Sequence, residues 1–469
     1  MNVRTKPHKD LTEGPLLSQI ILFALPLIAT SVLQLLFNTA DTIMVGRWGG
    51  ETPEECADAL AAVGACGALI KLIGDFFLGI GIGAGILVAH GVGARDYDDV
   101  KKTVHTSLLL SFVAGVVTML VGFFASPYIL EWMQTPALDQ AIPYIRAYFF
   151  GMPATVIYYY CAAMLRSSGD SARPLIFLSV AGVVNVALNY VAVVTLKMGA
   201  MGVGLSTAIS QWVSCFLIIG YMLRADIPCH IDLKELHIDL AKLKKILLLG
   251  IPAGIQYTFF AISNVLIQAA MNPLGSVAVA GNTAACNLDS YVYATQNAFY
   301  QTTLTFVGQH LGACKFKRMK KSILLCVISV TTIGLAVGIG MLLLGEPLLQ
   351  LYTPDNAEVI HFGMVRLQVF CLSFFIGGLM ETGCGALNGL GKSVSPMVIT
   401  LIGSCLFRVV WIYTVFAYFQ PILPLSDALR VLYLSYPISW ALTALVQFLF
   451  CFTNLKKAEK EATLQPEHI

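Results

Sequence analysis

The chain has 469 residues, 57% hydrophobic and 12% charged, with a mean hydropathy of +0.76 and a formal net charge of +2. A soluble domain carries about twice that charged fraction, and the apolar residues here come in blocks of roughly 20 or more, the length that crosses a bilayer as a helix. These properties exclude a soluble globular protein, and the absence of short alternating runs excludes a β-barrel; the net charge says nothing about partners, and no nucleic-acid partner is expected.

Twelve apolar blocks follow one another along the chain. The first six cover about 16–46, 58–90, 104–125, 141–165, 174–195 and 200–223, and the second six about 245–272, 276–311, 321–344, 359–388, 396–418 and 428–452. The expected fold is an all-α polytopic membrane protein with twelve transmembrane helices. The basic residues Arg4, Lys6 and Lys9 precede a first block too long for a signal peptide, so that block is read as a retained span. Of the 29 Lys and Arg residues, 22 fall in segments on the N-terminal side of the membrane; only Arg47, Lys197 and Arg430 fall in segments on the other side. Basic residues accumulate in cytoplasmic loops, so both termini are expected in the cytoplasm and the chain in the cell membrane. Nine of the twelve cysteines lie inside apolar blocks without CxxC spacing and read as small buried residues, not disulfides or metal ligands.

The two halves repeat. "PLIATSVLQLLFN" from Pro26 matches "PAGIQYTFFAISN" from Pro252, "ALAAVG" (59–64) matches "SVAVAG" (276–281), "VGARDYDDVKKT" (92–103) matches "LGACKFKRMKKS" (311–322), and "LRSSGDSARP" (165–174) matches "LNGLGKSVSP" (387–396). An even number of spans per repeat sets both halves the same way up, related by an axis along the membrane normal. The expected division is 1–223 as an N-lobe with helices 1–6, 224–245 as a cytoplasmic linker, 246–455 as a C-lobe with helices 7–12, and 456–469 as a cytoplasmic tail. "ALNGLGKS" (386–393) imitates a phosphate-binding loop, but Ala386 replaces the first glycine and a membrane helix precedes it. In "LGIGIGAGILVAHGVGA" (78–94), Gly79/Gly83 and Gly81/Gly85 are four apart, the spacing that lets helices approach closely in lipid.

Ionised groups inside a bilayer cost at least about 2.5–3.5 kcal/mol at its centre and mark function or pairing. Those here are Asp41, Lys71, Asp75, Asp289, Glu381 and Arg408, with Arg146 and Arg366 nearer the outer ends, where they are expected to snorkel. Thr30, Gln34, Asn38 and Asp41 form one polar stripe on a helix that Pro26 is expected to bend. The second half keeps Pro252 and Asn264 but has Ile267 at the place of Asp41, so the acid belongs to one half only. Asn185 and Asn189, four apart on the fifth span, can offer amide oxygens to Asp41, and such a set binds a proton or Na⁺; the alternative role is helix–helix bonding. Lys71 and Asp75 are spaced to neutralise each other. Asp289 and Arg408 lie at similar depth and form a plausible pair, with Glu381 as a competitor for Arg408 or a cavity-lining acid. Tyr158, Tyr159, Tyr160 and Tyr257 could line a chamber for planar cations or simply pack. No metal cluster, nucleophile or acid–base constellation stands out, so neither an enzyme nor a resident cofactor is expected.

The ordered set "P-x7-Q-x3-N-x2-D-x4-G-R" from Pro26, "ALAAVG", "GAR"/"GAC" and "GDSARP"/"GKSVSP" resembles the multidrug and toxic compound extrusion (MATE) family of prokaryotic type over nearly the whole chain. The resemblance implies two six-helix lobes in a V shape, with a substrate path between them. It implies secondary antiport by alternating access: an organic, often cationic, drug leaves as Na⁺ or H⁺ enters. It implies a monomer whose partners are the lipid bilayer and small amphipathic or cationic substrates. Asp41 matches the family's functional aspartate, and Pro26 the proline near which the first helix bends. Many relatives carry an aspartate at the position of Asn189, and some a glutamate in the seventh helix; this chain has neither, so Asp75, Asp289 or Glu381 could share the task. Export of lipid-linked or other amphipathic metabolites, as in flippases of the wider superfamily, is the alternative. A passive channel fits less well, because the charges differ between the halves.

Overall fold

A computed structural model describes residues 10–135, 137–352 and 356–464. Arg4, Lys6 and Lys9, counted above among the inner basic residues, lie outside the described residues. The described residues are helical almost throughout, with α1 Leu16–Trp48, α2 Pro53–Ala94, α3 Tyr97–Trp132, α4 Leu138–Phe150, α5 Met152–Ser167, α6 Ala172–Asn189, α7 Gly199–Met222 and α8 Leu240–Met271. They continue with α9 Ser276–Gly312, α10 Phe316–Leu343, α11 Gly345–Tyr352, α12 Ala357–Gly389, α13 Val394–Thr400, α14 Phe407–Trp411, α15 Ala417–Phe419 and α16 Leu425–Leu464.

By length and composition, ten of these helical segments can each cross a membrane, and α4 with α5, bent by 46°, make an eleventh. The bend falls at Gly151, followed by Pro153, which removes a backbone donor from the first turn of α5. The remaining predicted block, 276–311, is α9, whose polar residues Asn282, Asp289, Gln296 and Thr303 are buried inside the protein. The opposite extreme is α3, which leaves Phe112, Val117, Val121 and Phe124 exposed at 40% or more. In water such a face would aggregate; in lipid it is solvated.

Local chemistry sets several helix ends. Thr52 caps α2 by accepting from the Glu55 amide, with Pro53 in the first turn, and Asp96 caps α3 by accepting from Asp99. The matched loops of the repeat turn alike. Arg95 and Cys314 both have φ near +55°, and Gly169 and Gly391 have φ of +104° and +72°. The "GLGKS" segment is thus a short helix-to-helix turn. The 224–245 segment runs over the end of α3: Asp232 N–H donates to His105, Asp239 N–H donates to Thr106, and Lys242 pairs with Asp99. It becomes helical at Leu240, where the Asp239 carboxylate accepts from the amides of Ala241 and Lys242. Those two bonds hold the Asp239 carboxyl below its usual range.

The chain divides into two compact units whose boundaries fall inside helices. Ala29–Gly254 make up most of one, and Leu11–Ile28 with the residues from Ile255 onward make up the other. The divisions come two residues after Pro26 and Pro252, the prolines matched in the repeat. In the first unit α2 packs on the opening turns of α8, glycine on glycine: a Cβ at Gly79 would strike Gly254, and one at Gly83 would strike Gly250. Gly81 meets Tyr160 and Gly85 meets Ser167, both on α5, so the two glycine pairs serve two faces of α2. In the second unit Ile20, Phe23, Ala24 and Leu27 of α1 pack on Phe299 and Phe306 of α9 and Cys326 of α10. Lys315 and Arg318 donate to the backbone carbonyls of Thr12 and Gly14 just before α1.

Candidate ion-binding site and buried charges

Asp41 lies in the C-terminal half of α1, which rests on α6 through Phe37: its ring occupies the space beside Gly182, where no side chain would fit. That contact brings the carboxylate to Asn189, whose amide nitrogen donates to Asp41 at 2.5 Å. The same amide nitrogen lies 3.3 Å from the Asn185 oxygen, and Asn185 donates to the Thr207 hydroxyl of α7 at 3.3 Å. Asn189 is fully buried and Asn185 nearly so, and the Asn189 side-chain oxygen has no hydrogen-bond partner among the described residues. A carboxylate, two amides and a hydroxyl from α1, α6 and α7 are thus linked in one hydrogen-bonded chain. Such hard oxygen donors suit a small monovalent cation or a proton.

Two residues of the predicted stripe, Gln34 and Asn38, do not join this network. Asn38 is exposed and Gln34 half-buried, and among the described residues neither side chain bonds to Asp41. Thr207 was not expected from the sequence; its signal would have been a hydroxyl in the apolar sixth block. Tyr144 and Tyr148 of α4 lie within electrostatic reach of Asp41. Tyr148 in turn lies within electrostatic reach of Tyr159, and Tyr159 within reach of Asp75. Asp75 itself pairs with Lys71 at 3.0 Å across one helical turn. Tyr158 is buried and donates to the Pro174 carbonyl at 2.8 Å, which makes it a packing residue, whereas Tyr159 remains half-buried. Immediately after Asn189 the helix widens into π-helical turns at Tyr190–Thr195, and the matched span of the second half does the same at Ile412–Phe416. Such insertions concentrate at functional sites.

The second unit corrects the expected pairing of its charges. Asp289 bonds Arg366 at 2.7 Å, not Arg408, and Arg366 also donates to Asn282 at 2.9 Å. Arg366 does not snorkel; it is 6% exposed and lies 3.9 Å from the Phe370 ring centre. Depth along a helix, which the sequence shows, does not fix the direction around it, and α12 turns Arg366 toward α9. Arg408 is fully buried and, among the described residues, has no carboxylate partner: its Nε donates to Ser439, its guanidinium lies 4.1 Å from the Tyr436 ring centre, and both terminal nitrogens lack hydrogen-bond partners there. Cation–π attraction takes the place of the expected ion pair. Glu381 lies beside Tyr300 and Cys384 instead of Arg408, and Tyr257 meets the edge of Tyr300 at 6.5 Å.

A MatE family profile matches residues 26–191 and 252–414, one match in each half of the chain. Among curated proteins, the chain is 28% identical over 389 residues to the "Probable multidrug resistance protein YoeA" of Bacillus subtilis, covering 81% of this chain and 82% of that one. It is 23% identical to the "FAD transporter" of Shewanella oneidensis, covering 84% and 87%. Among solved structures, a multidrug resistance MATE family transporter of the MOP superfamily in an outward-facing conformation superposes with a TM-score of 0.88 at 22% identity, covering 97% of this chain and 99% of that one, and shows the fold. With a profile match in each half, the chain belongs to the MatE family, the transporters its ordered motifs resemble.

Proposed function

We propose that this protein is a secondary antiporter that exports small amphipathic or cationic compounds from the cell in exchange for H⁺ or Na⁺ bound at Asp41. Family membership makes it a multi-pass membrane transporter of the multidrug efflux class and not an enzyme. The observation that carries the ion-coupling reading is the Asp41–Asn189–Asn185–Thr207 network: an isolated carboxylate in an apolar helix, given one amide donor and neighbouring oxygens from two other helices. A bound cation shifts a conformational equilibrium only by its differential affinity for the two states. The network supplies that difference, because any movement of α1 against α6 separates Asp41 from Asn189. The protein works as a monomer in the cell membrane with both termini in the cytoplasm.

A second reading, export of an anionic amphipathic metabolite, draws on the relative described as an FAD transporter. One experiment addresses both: purified protein in liposomes, with a Na⁺ gradient and a pH gradient imposed separately, tested on a cationic dye and on a flavin dinucleotide. Dye efflux driven by one of the two gradients is expected. Flavin efflux in place of dye efflux would transfer the substrate to the second reading, and transport indifferent to both gradients would sink antiport.

A further inference from the structure

A cavity of about 670 Å³ opens at the outer end of the first unit, in segments outside the spans and at their ends. Arg47, Trp48, Glu51, Asp139, Val193 and Lys197 line it. On a scale of about 30 Å³ per water molecule, it has room for about twenty. Two lining residues belong to the elements that hold the ion site. Arg47 follows Asp41 by six residues on α1, about 9 Å along the axis at about 1.5 Å per residue. Val193 follows Asn189 by four residues in the π-helical turns. Val45 and Val193 each lie one turn beyond a member of the Asp41–Asn189 pair, and both are enclosed, at 0% and 1% exposure.

The lining also has a charge pattern. Glu51, Glu55 and Asp139 face Arg47 and Lys197, an excess of one negative charge. Glu51 and Lys197 pair at 2.7 Å, and the Lys197 ammonium holds the Glu51 carboxyl below its usual range, so this pair stays ionised. Glu55 accepts from the Glu51 amide, while Asp139 has no ion-pair partner among the described residues. The Gln140 side-chain oxygen, at the same wall, is buried without a hydrogen-bond partner among the described residues. A recess with low-dielectric walls and an excess of one sign raises the local concentration of counter-ions.

We infer that this cavity is the outer antechamber of the ion site: hydrated monovalent cations, Na⁺ or hydronium, collect in it and reach Asp41 through the first unit, past a plug formed by Val45 and Val193. The inference rests on the role proposed for Asp41 and adds the route by which its ion arrives. At the entrance Lys197 repels cations and offsets Glu51, which leaves Asp139 as the attracting charge.

The test uses the full-length protein in liposomes and reads the concentration of the driving cation that gives half-maximal efflux. At low ionic strength, Lys197→Glu should lower that concentration about two- to threefold, and Asp139→Lys should raise it by a similar factor. Both shifts should shrink as inert salt is added. A structural defect would move both variants the same way and ignore salt, and that result would overturn the inference. A second measurement does not depend on those substitutions: Val194→Cys, treated from outside with a bulky membrane-impermeant thiol reagent. Blocked cation-driven efflux is expected, since the exposed native thiol, Cys314, follows α9 in a basic inner loop out of the reagent's reach. Full efflux after complete labelling would overturn the antechamber. If the cavity variants do nothing while Asp41→Asn abolishes coupling, the route is wrong and the antiport reading stands; if wild-type efflux ignores both gradients, both fail.

Discussion

Asp41 is bonded to the amide of Asn189, so the network of Asp41, Asn189, Asn185 and Thr207 holds one acid. The isolation of Asp41 in one half was legible from the repeat, because Ile267 stands at its matched position. The sequence offered Asn185 and Asn189 to Asp41 as oxygen donors; in the structure it is the Asn189 amide nitrogen that meets the carboxylate. The partners of Asp289 and Arg408 were not legible, because a residue's azimuth on a long helix depends on packing along the whole helix. Arg366 carried the missed signal: its side chain is buried by Phe370 four residues later and by Tyr433 and Tyr436 on α16. Truncating it leaves Asp289 buried and unpaired, a change that costs about 3–5 kcal/mol, whereas replacing both partners by apolar groups is close to neutral. Thermal unfolding in detergent should therefore show a large loss for Arg366→Met and a clear recovery for Arg366→Met combined with Asp289→Leu. Equal losses in the single and double variants would show that the pair is not the source of the effect.

At the scale of elements, the spans followed from hydropathy, but their irregularities did not. The 46° break at Gly151 and the π-helical turns after Asn189 leave the run of apolar residues unchanged, so a pattern of period 3.6 reads straight through them. The glycine-rich stretch of α2 was legible because small residues four apart have one dominant use in lipid. Which helices it meets was not, since the repeat shows the spacing on α2 and says nothing of the turns of α8 opposite. Gly83→Leu would drive a side chain into the backbone at Gly250. Overpacking of this kind costs about 1–3 kcal/mol or more, and the thermal midpoint should fall, while Gly64→Leu, with open space around its Cβ position, should leave it nearly unchanged. A Gly83→Leu protein as stable as wild type would show that α2 and α8 do not touch there.

For the whole molecule, the two-fold repeat and the count of spans came from the sequence, and the profile match in each half agrees with the repeat. The division of the chain was less accessible. The 224–245 stretch looks like a linker by composition, yet the compact units part within α1 and α8, because a proline-marked helix can pack one half of its length in each unit. Orientation rests on the loop charges, and it gives a direct prediction: an impermeant thiol reagent should label Cys314 in inside-out vesicles and leave it unlabelled in right-side-out ones. The reverse pattern would invert the topology.

The central claim is that Asp41 couples ion entry to export. It is tested most directly by efflux from liposomes bearing wild-type or Asp41→Asn protein under an imposed cation gradient, with the thermal midpoint of each measured alongside. The variant keeps the side-chain shape and removes the charge. It should insert and unfold as wild type does, bind the exported compound, and show gradient-driven efflux reduced at least tenfold to background. Wild-type efflux from Asp41→Asn, at equal protein and equal gradient, would contradict the account.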